Sequence, residues 1–126
     1  MRKSVSRFTG NGADAVQAVI RIAALPSDPL AAAGRFYEQD LPQVESAFGN
    51  GVKAVAIIFP SLGKVHRGWM REAVAALARA MAPVRVNAVI AHESSATDTL
   101  VAWLGSASGV TGQIFVVDGQ QGEIES

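Results

Sequence analysis

The sequence predicts a three-layer α/β domain, with one mostly parallel sheet of about four strands flanked by helices. Three observations lead there. Apolar runs rich in β-branched residues recur at 53–59, 84–90 and 113–117, each short enough for a strand buried on both faces. Stretches with helical periodicity alternate with them, as in βαβ units. The 126 residues are 49% hydrophobic and 17% charged, which suits a single globular domain spanning 1–126 rather than a disordered chain.

Each element follows in order. Residues 3–8 alternate weakly and read as a first short strand. Thr9-Gly10-Asn11-Gly12 breaks it as a turn. Asp14 then caps a helix, with Gln17 at the reciprocal position and Val16, Val19, Ile20 and Ala23 along one face, so a helix is expected up to Pro26. Asp28-Pro29 starts a second helix carrying Leu30, Phe36 and Tyr37, which Pro42 breaks or restarts with Asp40 as a local cap. Gly49-Asn50-Gly51 stops it. After the strand at 53–59 comes a loop over 60–68 and then the most regular helix, 69–82. Met70, Val74, Leu77 and Met81 form one stripe on it, and Ala73, Ala76 and Ala80 a second, small-residue stripe beside it. Pro83 ends that helix. The strand at 84–90 follows, then a short helix capped by Ser95, then the strand at 113–117 turned by Asp118-Gly119. The polar residues 120–126 are expected to be loose.

Composition excludes several function classes. Net charge is zero, so no basic field draws nucleic acid or anionic lipid, and neither is expected as a partner. There is no cysteine, which removes disulfide and thiolate chemistry and fits a cytoplasmic protein. Only two histidines are present, so no metal is expected. The N-terminus shows no secretion signal, and no apolar run is long enough to span a bilayer. The apolar content is high for so small a domain. Either a partner covers part of the surface, or the composition has drifted toward alanine; both readings stay open.

Two segments carry a family resemblance. Arg85-Val-Asn-Ala-Val89 follows an alanine-rich helix, and Trp103-Leu-Gly-Ser-Ala-Ser-Gly-Val-Thr-Gly-Gln-Ile-Phe-Val-Val-Asp-Gly119 follows in turn. In this order they resemble the C-terminal half of the short-chain dehydrogenases/reductases, which close their sheet with a helix, a Val-Thr-Gly-Gln turn and a strand ending in Val-Asp-Gly. Ala54 to Ser61 resembles the strand and loop of the family's catalytic serine, and Thr9 to Gly12 its Asn-Asn-Ala-Gly turn. The resemblance implies a partial Rossmann-like fold.

The departures from the family matter as much. Its dinucleotide site needs a strand, a glycine-rich turn and a helix N-terminus, and the chain is read as starting downstream of that unit. If Thr9-Gly10 were that turn, Asp14 and Val16 would stand at later glycine positions and block the phosphates. No cofactor is therefore expected. Where the family carries Tyr-x-x-x-Lys, this chain has Arg67 and Arg71. An arginine stays protonated and cannot relay a proton as a phenol does. Asp40 falls at the family's active-site asparagine, and the substrate lid between Asn87 and Thr111 is missing.

The remaining candidates for chemistry are weak. Ser61 is a candidate nucleophile without a base. His66 and Arg67 could bind an anion, though their plain reading is a solvated loop. His92 beside Glu93 stands at the carboxyl end of a strand. No residue is assigned a catalytic role. In the family, the long helix and its predecessor pair with a neighbouring subunit, and the last helix and strand form another interface. The expected interface residues are thus Met70, Ala73, Val74, Ala76, Leu77, Ala80, Trp103 and Phe115. The resemblance implies a non-catalytic subunit that oligomerises with itself or with a full-length family member. The competing reading is an oxidoreductase acting on an acyl or hydroxy substrate, with a rebuilt or partner-completed site.

Overall fold

The computed structural model of the chain describes residues 4–9, 16–49, 51–91, 94–117 and 122–125. Strands β1 (Ser4–Thr9), β2 (Val16–Arg21), β3 (Ala54–Phe59), β4 (Arg85–Ile90), β5 (Ile114–Val117) and β6 (Gly122–Glu125) form one sheet in sequence order. The inner four are parallel, as expected. The two edges are antiparallel: β1 pairs with β2, and β6 pairs with β5. Helices α1 (Pro29–Arg35), α2 (Leu41–Ser46), α3 (Arg67–Ala80) and α4 (Ser95–Ser106) connect the parallel strands.

The expected helix from Asp14 to Ala23 is instead strand β2, and residues 10–15, with the turn and cap read there, lie outside the described residues. Val19 and Ile20 are β-branched, and Gln17 through Ile20 are buried on both faces of the sheet. A continuous apolar run satisfies a helical template as well as a strand, and parallel pairing with β3 decides between them. The tail expected to be loose contains β6.

Asp28 does cap α1, its carboxylate accepting from the Ala31 N–H at 2.9 Å. Asp40 does not cap α2 with its side chain, because no helix begins there. The helix runs on from α1 through a π-helical stretch, Phe36–Asp40, in which the Leu41 N–H donates to the Phe36 carbonyl five residues back. That wider turn carries the chain into α2 with Pro42 in its first turn, where a missing N–H is tolerated. Likewise Ser94, not Ser95, caps α4, accepting from the Thr97 N–H at 3.2 Å.

Alternate residues of the strands serve two layers. On one face Phe36, Val44, Met70, Val74 and Leu77 pack on Ile20, Val55, Ile57, Phe59, Val86 and Ile114. On the other, Val101 and Leu104 of α4 pack on Val19, Ala56, Ile58, Val89 and Phe115. Thus α1, α2 and α3 share one face and α4 covers the opposite one. The sheet steps in the same direction from β2 to β5. The β4-α4-β5 crossover therefore has the opposite hand to the two before it, and since right-handed units are the rule, the chain contains a departure from it.

Candidate functional site

That reversal shapes the carboxyl edge of the sheet. After β2 and β3 the chain leaves toward the α1–α3 face; after β4 it leaves toward α4. Connections that diverge to opposite faces leave a gap above the strand ends, where open α/β sheets hold their ligands. A crevice of about 300 Å³ lies here, lined by Arg21, Ile22, Ile58, Phe59, Pro60, Ser61 and Ala91.

Of the sequence candidates among the described residues, only Ser61 lines this crevice, and it is exposed. His66 is not a solvated loop residue. It is 3% exposed, in the 3-10 turn Lys64–His66 that leads into α3. Its Nε2 lies 3.0 Å from the Ser27 carbonyl, and the Trp69 indole donates to its Nδ1 at 3.2 Å. An indole only donates and a carbonyl only accepts, so the ring serves both with its proton on Nε2. Both nitrogens are thereby engaged in joining the β2–α1 connection to α3. Arg67 is the first residue of α3 and half-buried. His92 and Glu93 lie outside the described residues. Asp40 is buried at the end of the π-helical stretch.

Tyr37 is partly exposed, its ring edge-on to Phe36. Partial burial raises its hydroxyl pKa above the ordinary 10.0, and the Glu72 carboxylate on α3 adds to the shift. A proton-relay tyrosine needs the opposite shift. Among the described residues no three His, Asp or Glu gather to hold a metal ion, and no helix is long and apolar enough to cross a membrane.

Arg21 was not foreseen as a site residue, because a helix was expected through it. A cation at the carboxyl end of a buried apolar run was the available signal.

The two motifs that carry the resemblance meet each other. Arg85 donates to the carbonyls of Leu104 at 3.2 Å and Ala107 at 2.7 Å, satisfying the carbonyl end of α4. The Val86 N–H donates to the Thr111 hydroxyl at 3.0 Å, and Gly112, with φ of 77°, donates its N–H to the Val86 carbonyl at 2.7 Å. Asn87 donates to the Val110 carbonyl at 2.9 Å and accepts from the Gln113 N–H at 3.0 Å. Arg-Val-Asn and Val-Thr-Gly-Gln are therefore two halves of one splice that fixes α4 and β5 to β4.

The sequence model of a family described as short chain dehydrogenase-like protein matches residues 20–117. The chain belongs to that family. No curated protein and no solved structure matches it significantly.

The described residues do not fit a nicotinamide dinucleotide. In a doubly wound sheet of order 3-2-1-4-5-6, the nucleotide-binding half joins the other by parallel pairing of strand 1 with strand 4. Here the outer edge of β2, the first parallel strand, is taken by antiparallel β1.

The expected interface residues divide into three groups. Met70, Ala73, Val74 and Leu77 are buried in the chain's own core, as is Phe115. Ala76 is half-buried and Ala80 exposed, and both line a shallow groove of about 150 Å³ with Tyr37, Leu41 and Glu45. Trp103 is 49% exposed on α4, its ring edge-on to Phe115.

Proposed function

We propose that the chain is a non-catalytic, short-chain-dehydrogenase-like subunit that assembles with itself or with a full-length member of the family. The observation that carries this reading is antiparallel β1 on the edge of β2, where a nucleotide-binding half would pair. Arg67 at the tyrosine position adds to it. The α3 groove supports assembly: apart from Glu45 and the Tyr37 hydroxyl its lining side chains are apolar, three of them alanines of α3, and a helix from a second chain can approach closely along Ala76 and Ala80.

Light scattering on the purified chain at tens of micromolar tests the reading. A dimer or larger species is expected, and Ala80→Glu should shift it to monomer, since a two-fold axis would set like charges against each other. Isothermal calorimetry should detect no NAD or NADP binding to the chain. Micromolar binding of either nucleotide would overturn the non-catalytic reading, and a monomeric wild type that also fails to co-purify with a full-length family member would overturn the assembly.

A further inference from the structure

We propose that the crevice at the carboxyl edge of β2, β3 and β4 binds a small organic acid with a short apolar tail, its carboxylate held by Arg21 and Ser61. This goes beyond the subunit reading and does not depend on it.

The two ends of the crevice differ in chemistry. Arg21, half-buried at the end of β2, brings a guanidinium whose planar fork of donors matches the two oxygens of a carboxylate. Arg21 makes a contact within the chain, and its five N–H donors serve more than one acceptor. The Ser61 hydroxyl, on the neighbouring strand's exit loop, is a second donor. The other lining residues are Ile22, Ile58, Phe59, Pro60 and Ala91, none with a polar side chain. A ligand that satisfies the whole lining therefore has an anionic head and a hydrocarbon body.

Size and charge narrow the class. A volume of about 300 Å³ is at the lower limit for small-molecule sites and suits a short acid rather than a dinucleotide. Among the described residues that line the crevice there is no carboxylate side chain and one cation, Arg21, so this lining favours an anion.

The test uses the whole chain and three probes: sodium hexanoate, hexanamide and inorganic phosphate. Binding is followed by ¹H–¹⁵N NMR at Arg21, Ser61 and Ala91. Hexanoate should bind with a Kd below about 1 mM, and the amide and phosphate at least roughly tenfold more weakly. Arg21→Gln should weaken hexanoate roughly tenfold or more, and Ser61→Ala about threefold. The proposal is overturned if hexanoate does not bind at about 10 mM, if the amide or phosphate binds equally well, or if folded Arg21→Gln binds as the wild type does. Should Arg21→Gln fail to fold by circular dichroism, the comparison of probes on the wild type decides alone.

Discussion

The face of the sheet carrying α1, α2 and α3 and the face carrying α4 are held in contrasting ways. On the first, contact of the helices with the sheet is almost wholly apolar, and the His66 hydrogen bonds join α3 to a connection, not to a strand. The Phe36 ring sits with centroids 5.5 Å from each of Tyr37, Phe59 and Trp69, above a layer of Ile and Val. On the second, a single helix is tied down by polar groups. The Gln17 amide donates to the Val101 carbonyl at 3.1 Å, Arg85 satisfies the end of α4, and Asn87 fixes the return to β5. Apolar packing is non-directional and supplies most of the stability. Hydrogen bonds fix position, because a displaced partner leaves a buried group unsatisfied. The polar ties between helix and sheet fall on the face whose crossover runs against the hand of the other two, where directional contacts are needed to specify one arrangement.

The sharpest way to break this contrast is on the apolar face. Phe36→Ala removes a fully buried ring at the centre of the aromatic cluster. The expected loss is about 4 kcal/mol of unfolding free energy, a large part of the roughly 5–15 kcal/mol typical of a domain. Urea denaturation measures it. A loss below about 1 kcal/mol would mean that the cluster is not the chief support of this face.

What the sequence revealed divides along the same line. The strands at 54–59, 85–90 and 114–117 and helix α3 were legible because each presents a single unbroken pattern. Strand β2 was not, because Val16 to Ile20 satisfies two periodicities and only its neighbour β3 resolves them. The π-helical stretch was half legible: Pro42 marked a break, but nothing local to Asp40 shows that the chain stays helical through it. Arg85, Asn87 and Thr111 were legible as a family signature but not as a splice, since their partners lie 19 to 25 residues away in sequence. The crevice was least visible. It arises from the exits of three strands, and misreading β2 hid Arg21, the one charged residue among the described lining.

A smaller effect is expected from the polar face. Asn87→Ala leaves the Val110 carbonyl and the Gln113 N–H, both part-buried, without the buried amide that joins them. About 2 kcal/mol should be lost, seen as a lower urea midpoint at unchanged slope. A change within about 0.5 kcal/mol would show that packing alone holds the α4 crossover, and that the two faces do not differ as argued.

The finest test is a pair of glycines in helices on opposite faces, for which opposite signs are expected. Gly34 lies in α1, exposed, with nothing within 4 Å of where a Cβ would stand. Gly34→Ala should stabilise by about 0.5–1 kcal/mol, because the glycine's extra freedom in the unfolded chain is removed at no steric cost. Gly105 lies buried in α4, and a Cβ there would stand 3.1 Å from Gln17 Oε1 and 3.3 Å from its Cδ. Alanine offers the same gain in helix propensity, so the sign depends on whether the Gln17 amide can yield. It is 1% exposed and anchored by its bond to Val101, so moving it strains the tie between α4 and β2. Gly105→Ala should therefore destabilise by about 1 kcal/mol. If the amide is the cause, Gly105→Ala made on top of Gln17→Ala should lose its penalty, and the cycle should show a coupling of about 1 kcal/mol or more. An equal penalty in both backgrounds would place the strain in the helix backbone and not in the amide that joins α4 to the sheet.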